Sequence, residues 1–166
     1  VLVGLTERDG ALHVLLTQRH SQLAKHGGQI AFPGGRLDAG ETPLAAALRA
    51  AEEETGLARS FVEPLGYLDG YLTVTGYFVT PVVALVQPPF DLALDRFEVA
   101  EAFEVPLPFL MNPAHHRRHV FSFEGGQRQF LSMPWQGLGA DGVSREYFIW
   151  GATAAMLRNL YRLLVA

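Results

Sequence analysis

The sequence predicts an α/β fold in which a mixed β-sheet lies between α-helices. Three observations carry this. Two β-rich runs, residues 1–7 and 11–19, open the chain, and two more, residues 61–75 and 76–86, follow a central helix over residues 43–55. A second helical pattern over residues 148–166 closes it. Strands that both precede and follow one amphipathic helix bury themselves most simply in a single sheet, with helices covering its faces.

Composition bounds the function. The chain has 166 residues, 49% of them hydrophobic and 18% charged, which suits one domain spanning residues 1–166 with a real core. No apolar run approaches the ~20 residues needed to cross a bilayer, so no membrane partner is expected. No signal peptide is visible, and because the chain begins at Val1 rather than Met an N-terminal segment is expected to precede it. The absence of cysteine excludes disulfides and thiol catalysis and fits a reducing, cytoplasmic setting. A net charge of −4 argues against a nucleic-acid partner and leaves a small molecule as the expected one, with the protein a monomer or a homodimer.

In order, Asp9-Gly10 between the first two apolar runs is a hairpin signal. Residues 20–28 form a polar, glycine-ended loop. It leads into Gln29-Ile30-Ala31-Phe32-Pro33-Gly34-Gly35, where paired glycines let the backbone turn and approach a ligand closely. The central helix has Thr42 as its cap, Pro43 at the first helical position and Gly56 just beyond its end. At 100° per residue, Leu44, Ala47, Leu48, Ala51 and Thr55 form a core stripe, with Arg49, Glu53 and Glu54 opposite. Carboxylates gathered beside a Gly-Gly turn suggest a platform for a hard divalent cation such as magnesium, which takes oxygen ligands and shares them with phosphate and water. The alternative is a solvated acidic face.

This stretch resembles the Nudix box, a glycine followed at fixed spacing by glutamate, arginine, a glutamate pair, glycine and an aliphatic residue. Gly35, Glu41, Arg49, Glu53, Glu54, Gly56 and Leu57 all fall in register. One position departs, for Ala50 stands where the family has a glutamate after the arginine. The resemblance implies the Nudix fold, hydrolysis of a diphosphate, and a Mg2+ or Mn2+ cofactor. It implies Glu53, Glu54 and the Gly34 carbonyl as metal ligands, Arg49 orienting Glu53, and Glu41 steadying the loop. Ala50 occupies the place of a missing ligand, and Glu52 is turned too far round the helix to replace it. The chain is either a naturally weakened member or a disabled one, and the match elsewhere favours the second.

Leu15-Leu16-Thr17, Arg19, Leu23, His26 and residues 28–35 further resemble the motif before the box in coenzyme A diphosphatases, which release 4′-phosphopantetheine and adenosine 3′,5′-bisphosphate. The resemblance recurs at residues 73–77, 79–83 and 150–153. Arg19, Lys25 and His26 supply donors for a substrate with three phosphates, and Gln29 and Phe32 adjoin them as substrate-binding candidates. A loop-stabilising role is the plainer account of His26. Other nucleoside diphosphate derivatives, or a ligand-sensing domain without catalysis, remain as alternative functions.

Downstream, Tyr77 or Phe78 edges the site. Residues 95–102 read as a short acidic helix or loop, whose Glu98 is either a further ligand or general base, or an ordinary solvated carboxylate. Glu104, in a strand over residues 103–107, is structural. His115, His116 and His119 lie beside Arg117 and Arg118 as a basic rim or solvated loop; with no cysteine among them, zinc is disfavoured. Glu124-Gly125-Gly126 turns between strands 120–123 and 128–133, and residues 134–142 read as an irregular loop. In the last helix Trp150, Ala154, Leu157, Leu160, Tyr161 and Leu164 recur as a core face.

Overall fold

The structure, a computed structural model, describes residues 1–23 and 27–166. Strands β1 (Leu2–Arg8) and β2 (Ala11–Arg19) form the predicted hairpin. Its turn has Asp9 at φ 52° and Gly10 at φ 80°, and that left-handed pair matches the twist of the strands it joins. Short β3 (Ile30–Ala31) precedes the central helix α1 (Pro43–Thr55). Then come β4 (Val62–Tyr67), β5 (Tyr71–Leu72), β6 (Phe78–Val79), β7 (Val82–Val86) and β8 (Val99–Pro106). The one-turn helix α2 (Leu107–Leu110) is followed by β9 (Arg117–Phe123), β10 (Gly126–Ser132), β11 (Trp135–Leu138), β12 (Ser144–Tyr147) and α3 (Gly151–Val165).

Six strands make the main sheet, in the order β3-β2-β1-β7-β4, with β8 also paired to β2. The β1–β7 pair is parallel and its neighbours are antiparallel, so the sheet is mixed. Side chains alternate across it. Val14 and Leu16 face one way, into a core with Val3, Phe103, Val105 and the α3 residues Ala154, Leu157 and Leu160. Leu15 faces the other way, into a core with Leu2, Val82, Ala84 and the α1 residues Ala47 and Ala51. The sheet therefore lies between α1 and α3, each fully buried leucine contributing about 1.5–3 kcal/mol.

Several expectations change in the structure. The runs 61–75 and 76–86 each break in two, because β4 is offset at Gly66 and Pro81 interrupts the second run, which frees β5 and β6 to pair as a separate ribbon. Residues 95–98 form a turn, and β8 starts at Val99 rather than 103. Residues 134–142 are not an irregular loop. There β11 pairs with β12, and the ribbon is tied to β8 through Glu101, which accepts from Tyr147 Oη (2.6 Å), Ala140 N (3.0 Å) and Arg145 Nη1 (3.2 Å). Helix α3 begins at Gly151, φ 66°, so Trp150 caps it from an extended conformation, 38% exposed, and Leu164 is exposed, both outside the core face.

Helix α1 keeps its predicted ends. Thr42 accepts from Ala45 N (3.1 Å), and Gly56 at φ 73° donates to Glu52 O (2.9 Å). Thr42→Ala is expected to cost about 1 kcal/mol, read as a lower urea midpoint at an unchanged slope. The buried face differs from the predicted stripe. One i, i+4 row, Ala47, Ala51 and Thr55, faces the sheet, and the adjacent row, Ala46, Ala50 and Glu54, is buried as well, while Leu44 and Leu48 are only half-buried. Ala50 Cβ lies 3.4 Å from where a Cβ on Gly35 would stand, so the second row abuts the Gly34-Gly35 turn.

Candidate active site

The turn before α1 is held by one arginine. Arg49 donates to both carboxylate oxygens of Glu41, Nε–Oε2 2.8 Å and Nη2–Oε1 2.9 Å, to the Arg36 carbonyl (2.8 Å) and to Glu53 Oε2 (3.2 Å). Glu41 also accepts from Asp38 N at 2.7 Å. The Arg49 guanidinium, then the Asp38 N–H, hold the Glu41 carboxyl down at about 2, and Arg49 itself is pushed up by those bonds. A depressed carboxyl stabilises the fold above its ordinary range, and that contribution is lost as pH falls toward 2. Arg49→Lys, with one point charge in place of a planar fork, is expected to move Glu41 back toward the ordinary carboxylate range. An NMR pH titration of the Glu41 carboxyl measures this.

Glu54 departs from the face first expected for it. It is 9% exposed, at the inner end of the row that meets the glycine turn, and its Oε2 accepts from Gly34 N at 3.4 Å. Burial is the main cause that pushes its carboxyl up to about 7; the Gly34 N–H opposes this, the Glu98 charge adds to it, and Arg19 offsets it. Glu98 is exposed, in the turn before β8, and that turn is docked on α1 by bonds from Ala93 N to Thr55 O and Asp95 N to Glu54 O (both 2.8 Å). Glu53 points to solvent beside Arg49, its side chain 63% exposed.

A cleft of ≈ 1150 Å³ opens beside the glycine turn. Its walls are the turn itself, the β5–β6 ribbon, the β9–β10 ribbon and the start of α3. Arg19, Gln29 and Phe32 line it, although Phe32 is 4% exposed and packs mainly in the core. Arg19 Nε is buried without a partner among the described residues. Lys25 and His26 lie outside the described residues. Tyr77 and Phe78 line the cleft as expected, and Arg36 bridges to Tyr77 Oη at 2.5 Å. Phe121, Arg128, Phe130 and Trp150 also line it, which the sequence reading missed. The alternating aromatics of 121, 123 and 130 were the available signal. The three histidines serve packing and hydrogen bonds at separate places. His115 Nδ1 bonds the Phe109 carbonyl (2.8 Å), His116 Nε2 the Leu110 carbonyl (2.6 Å) and His119 Nε2 the Ser132 hydroxyl (2.6 Å). Glu104 pairs with Arg8 at 3.0 Å.

Among the described residues no three His, Cys, Asp or Glu side chains form a ready-made metal cage. The donors fit a smaller demand. A buried carboxylate with a raised pKa, a second acid close enough to raise it further, and an adjoining backbone turn suit one hydrated hard cation that keeps phosphate and water oxygens.

The fold is thus a mixed sheet between helices, with a glycine turn clamped by an arginine on a carboxylate-bearing helix. The model of the NUDIX domain matches residues 1–123, and the chain belongs to the Nudix family, whose hydrolases act on diphosphate bonds, generally with divalent metals. It is similar to the uncharacterized Nudix hydrolase NudL of Escherichia coli K12, with 40% identity over 149 residues, 89% of this chain and 72% of that protein. Among solved structures it is similar to the Nudix hydrolase RenU from M. smegmatis (TM-score 0.56, 30% identity, 64% of this chain and 68% of that one). A C. elegans Ap4A hydrolase shares the fold at 22% identity (TM-score 0.56, 64% of this chain and 78% of that one).

Proposed function

We propose that this chain is a coenzyme A diphosphatase, one domain over residues 1–166 acting in the cytoplasm, whose rate is depressed by Ala50. The observation that carries the reading is convergence. Parts of the separate stretches that resemble the coenzyme A subgroup, residues 28–35, 73–77, 79–83 and 150–153, line one cleft. In a chain of net charge −4, that cleft is lined, among the described residues, by Arg19, Arg36 and Arg128 and by no carboxylate. A long, polyanionic substrate suits such a lining.

In the reaction a water oxygen attacks one phosphorus of the diphosphate, and the bond to the bridging oxygen breaks to leave the second phosphate. Glu98 takes the water's proton. Glu54, Glu53 and the Gly34 carbonyl would hold the cation, and Arg49, bonded to Glu53 Oε2 at 3.2 Å, would orient Glu53. Bound magnesium or manganese supplies charge stabilisation at the phosphoryl oxygens. Arg19 and Gln29 hold the diphosphate against the turn, so that orientation and electrostatics supply most of the rate.

Hydrolysis of coenzyme A, ADP-ribose and NADH under magnesium tests the reading. Coenzyme A is expected to be cut at least tenfold more efficiently than the others. A preference for ADP-ribose or NADH makes the chain a Nudix hydrolase for another nucleoside diphosphate. Ala50 and the sparse donor set also favour a second reading, a ligand-sensing domain without catalysis. Coenzyme A bound but uncut even after Ala50→Glu establishes that one.

A further inference from the structure

The β9–β10 ribbon lies off the main sheet and carries rings that join neither core cluster among the described residues. Its register pairs His119 with Phe130, Phe121 with Arg128 and Phe123 with Gly126. Alternation places these on one face. The rings run in a ladder, Phe123 to Phe121 at 6.1 Å, Phe121 to Phe130 at 6.1 Å and Phe130 to Trp150 at 5.6 Å. Phe121 is 46% and Trp150 38% exposed, and both line the cleft with Phe130. Arg128 sits cross-strand from Phe121, 5.7 Å from the Phe123 ring, and no carboxylate pairs with it among the described residues.

We propose that this aromatic face, continued by Trp150, is a stacking platform for the adenine ring of the substrate, with Arg128 holding the phosphate beside it. The inference rests on the diphosphate-substrate reading above and names which half of the substrate lies at this end of the cleft. A flat base stacks face to face on one exposed ring of the ladder, whichever base it is, and its neighbouring phosphates need a cation within reach. Arg128 is the arginine left for them here, since Arg36 is engaged by Tyr77 and Arg19 is assigned above to the diphosphate. The pantetheine arm then runs toward the β5–β6 ribbon, where Val74 and Phe78 are 82% and 69% exposed.

The two products separate the halves without needing turnover. The chain has two tryptophans. Trp135→Phe removes the one stacked on Phe103 and Tyr147 and leaves Trp150 as a reporter. Adenosine 3′,5′-bisphosphate is expected to quench Trp150, and 4′-phosphopantetheine to leave it unchanged. Phe121→Ala is expected to weaken the bisphosphate about tenfold, the order of one lost base–ring stack, and Phe121→Tyr to restore it. Leu163→Ala, at the exposed end of α3, serves as the neutral control. Calorimetry on the unaltered chain and on Phe121→Ala gives the same comparison if Trp135→Phe misfolds. Quenching by 4′-phosphopantetheine alone overturns the platform, as does coenzyme A binding that Phe121→Ala leaves unchanged; the coenzyme A reading survives both. ADP bound through Phe121 by a chain that does not bind coenzyme A supports the platform and defeats the coenzyme A reading.

Discussion

Ala50→Glu is expected to raise magnesium-dependent hydrolysis of coenzyme A by about 100-fold or more, because it would add a carboxylate at the turn proposed to hold the metal. Position 50 is the middle of the row Ala46, Ala50, Glu54, and Ala50 is 3% exposed. A glutamate there starts against Gly35 and one helical turn from Glu54, so its carboxylate emerges beside the one that Gly34 N–H already contacts. The same change brings another negative charge to a site where burial and Glu98 already push Glu54 up to about 7. Without metal the variant is therefore expected to melt lower at pH 8 than at pH 6, and magnesium is expected to recover the loss. Phosphate release and thermal melts with and without magnesium check both parts. A variant that gains no rate refutes Ala50 as the missing ligand.

Glu54→Gln is the second large effect, with opposite signs for activity and stability. In the Ala50→Glu background it is expected to lower the rate by about 100-fold or more, since the innermost carboxylate is gone. In the metal-free chain it is expected to stabilise at high pH. Glu54 holds its proton more tightly folded than unfolded, so its contribution to stability is complete below 4.5 and falls away as pH rises through about 7. At pH 8 the ionised, buried group costs on the order of 3 kcal/mol, at 1.36 kcal/mol for each unit between 4.5 and about 7. Glutamine avoids that cost, and its side-chain oxygen still accepts from Gly34 N. Urea melts of the two chains are expected to coincide at pH 4 and to separate by pH 8. Coincidence at both values shows that Glu54 is not desolvated.

Much of this was legible in the residues themselves. Turn chemistry was read correctly at Asp9-Gly10 and at Gly56, where a positive φ forces a residue choice. The ends of α1 followed from Thr42, Pro43 and Gly56. The layer order followed from β-rich runs on both sides of one amphipathic helix, with a second helix closing the chain. What failed was local pattern overruled by tertiary contact. A helical wheel places Glu54 outward, but the Gly34-Gly35 turn folds over that side and buries it. Trp150 has helical spacing to the α3 core, yet Gly151 at φ 66° starts the helix after it, and the indole turns to Phe130 instead. The β11–β12 ribbon escaped notice because Gly137 and Gly139 dilute its strand character, while the Glu101 network that fixes it involves a partner some forty residues away in sequence. Arg128 and Phe121 were invisible as site residues for the same reason, since only the fold brings them to the cleft that the glycine turn also lines.

The two-stranded ribbon β9–β10 pairs with no strand of the six-stranded sheet. With the proposed base platform on this ribbon and the proposed cation site on α1, ligand selection and bond cleavage would be carried on parts of the chain that can vary separately. Grafting a different hairpin at residues 117–132 is a route to a changed guest molecule with an unaltered reaction, and homologues sharing the α1 apparatus are free to diverge in what they accept.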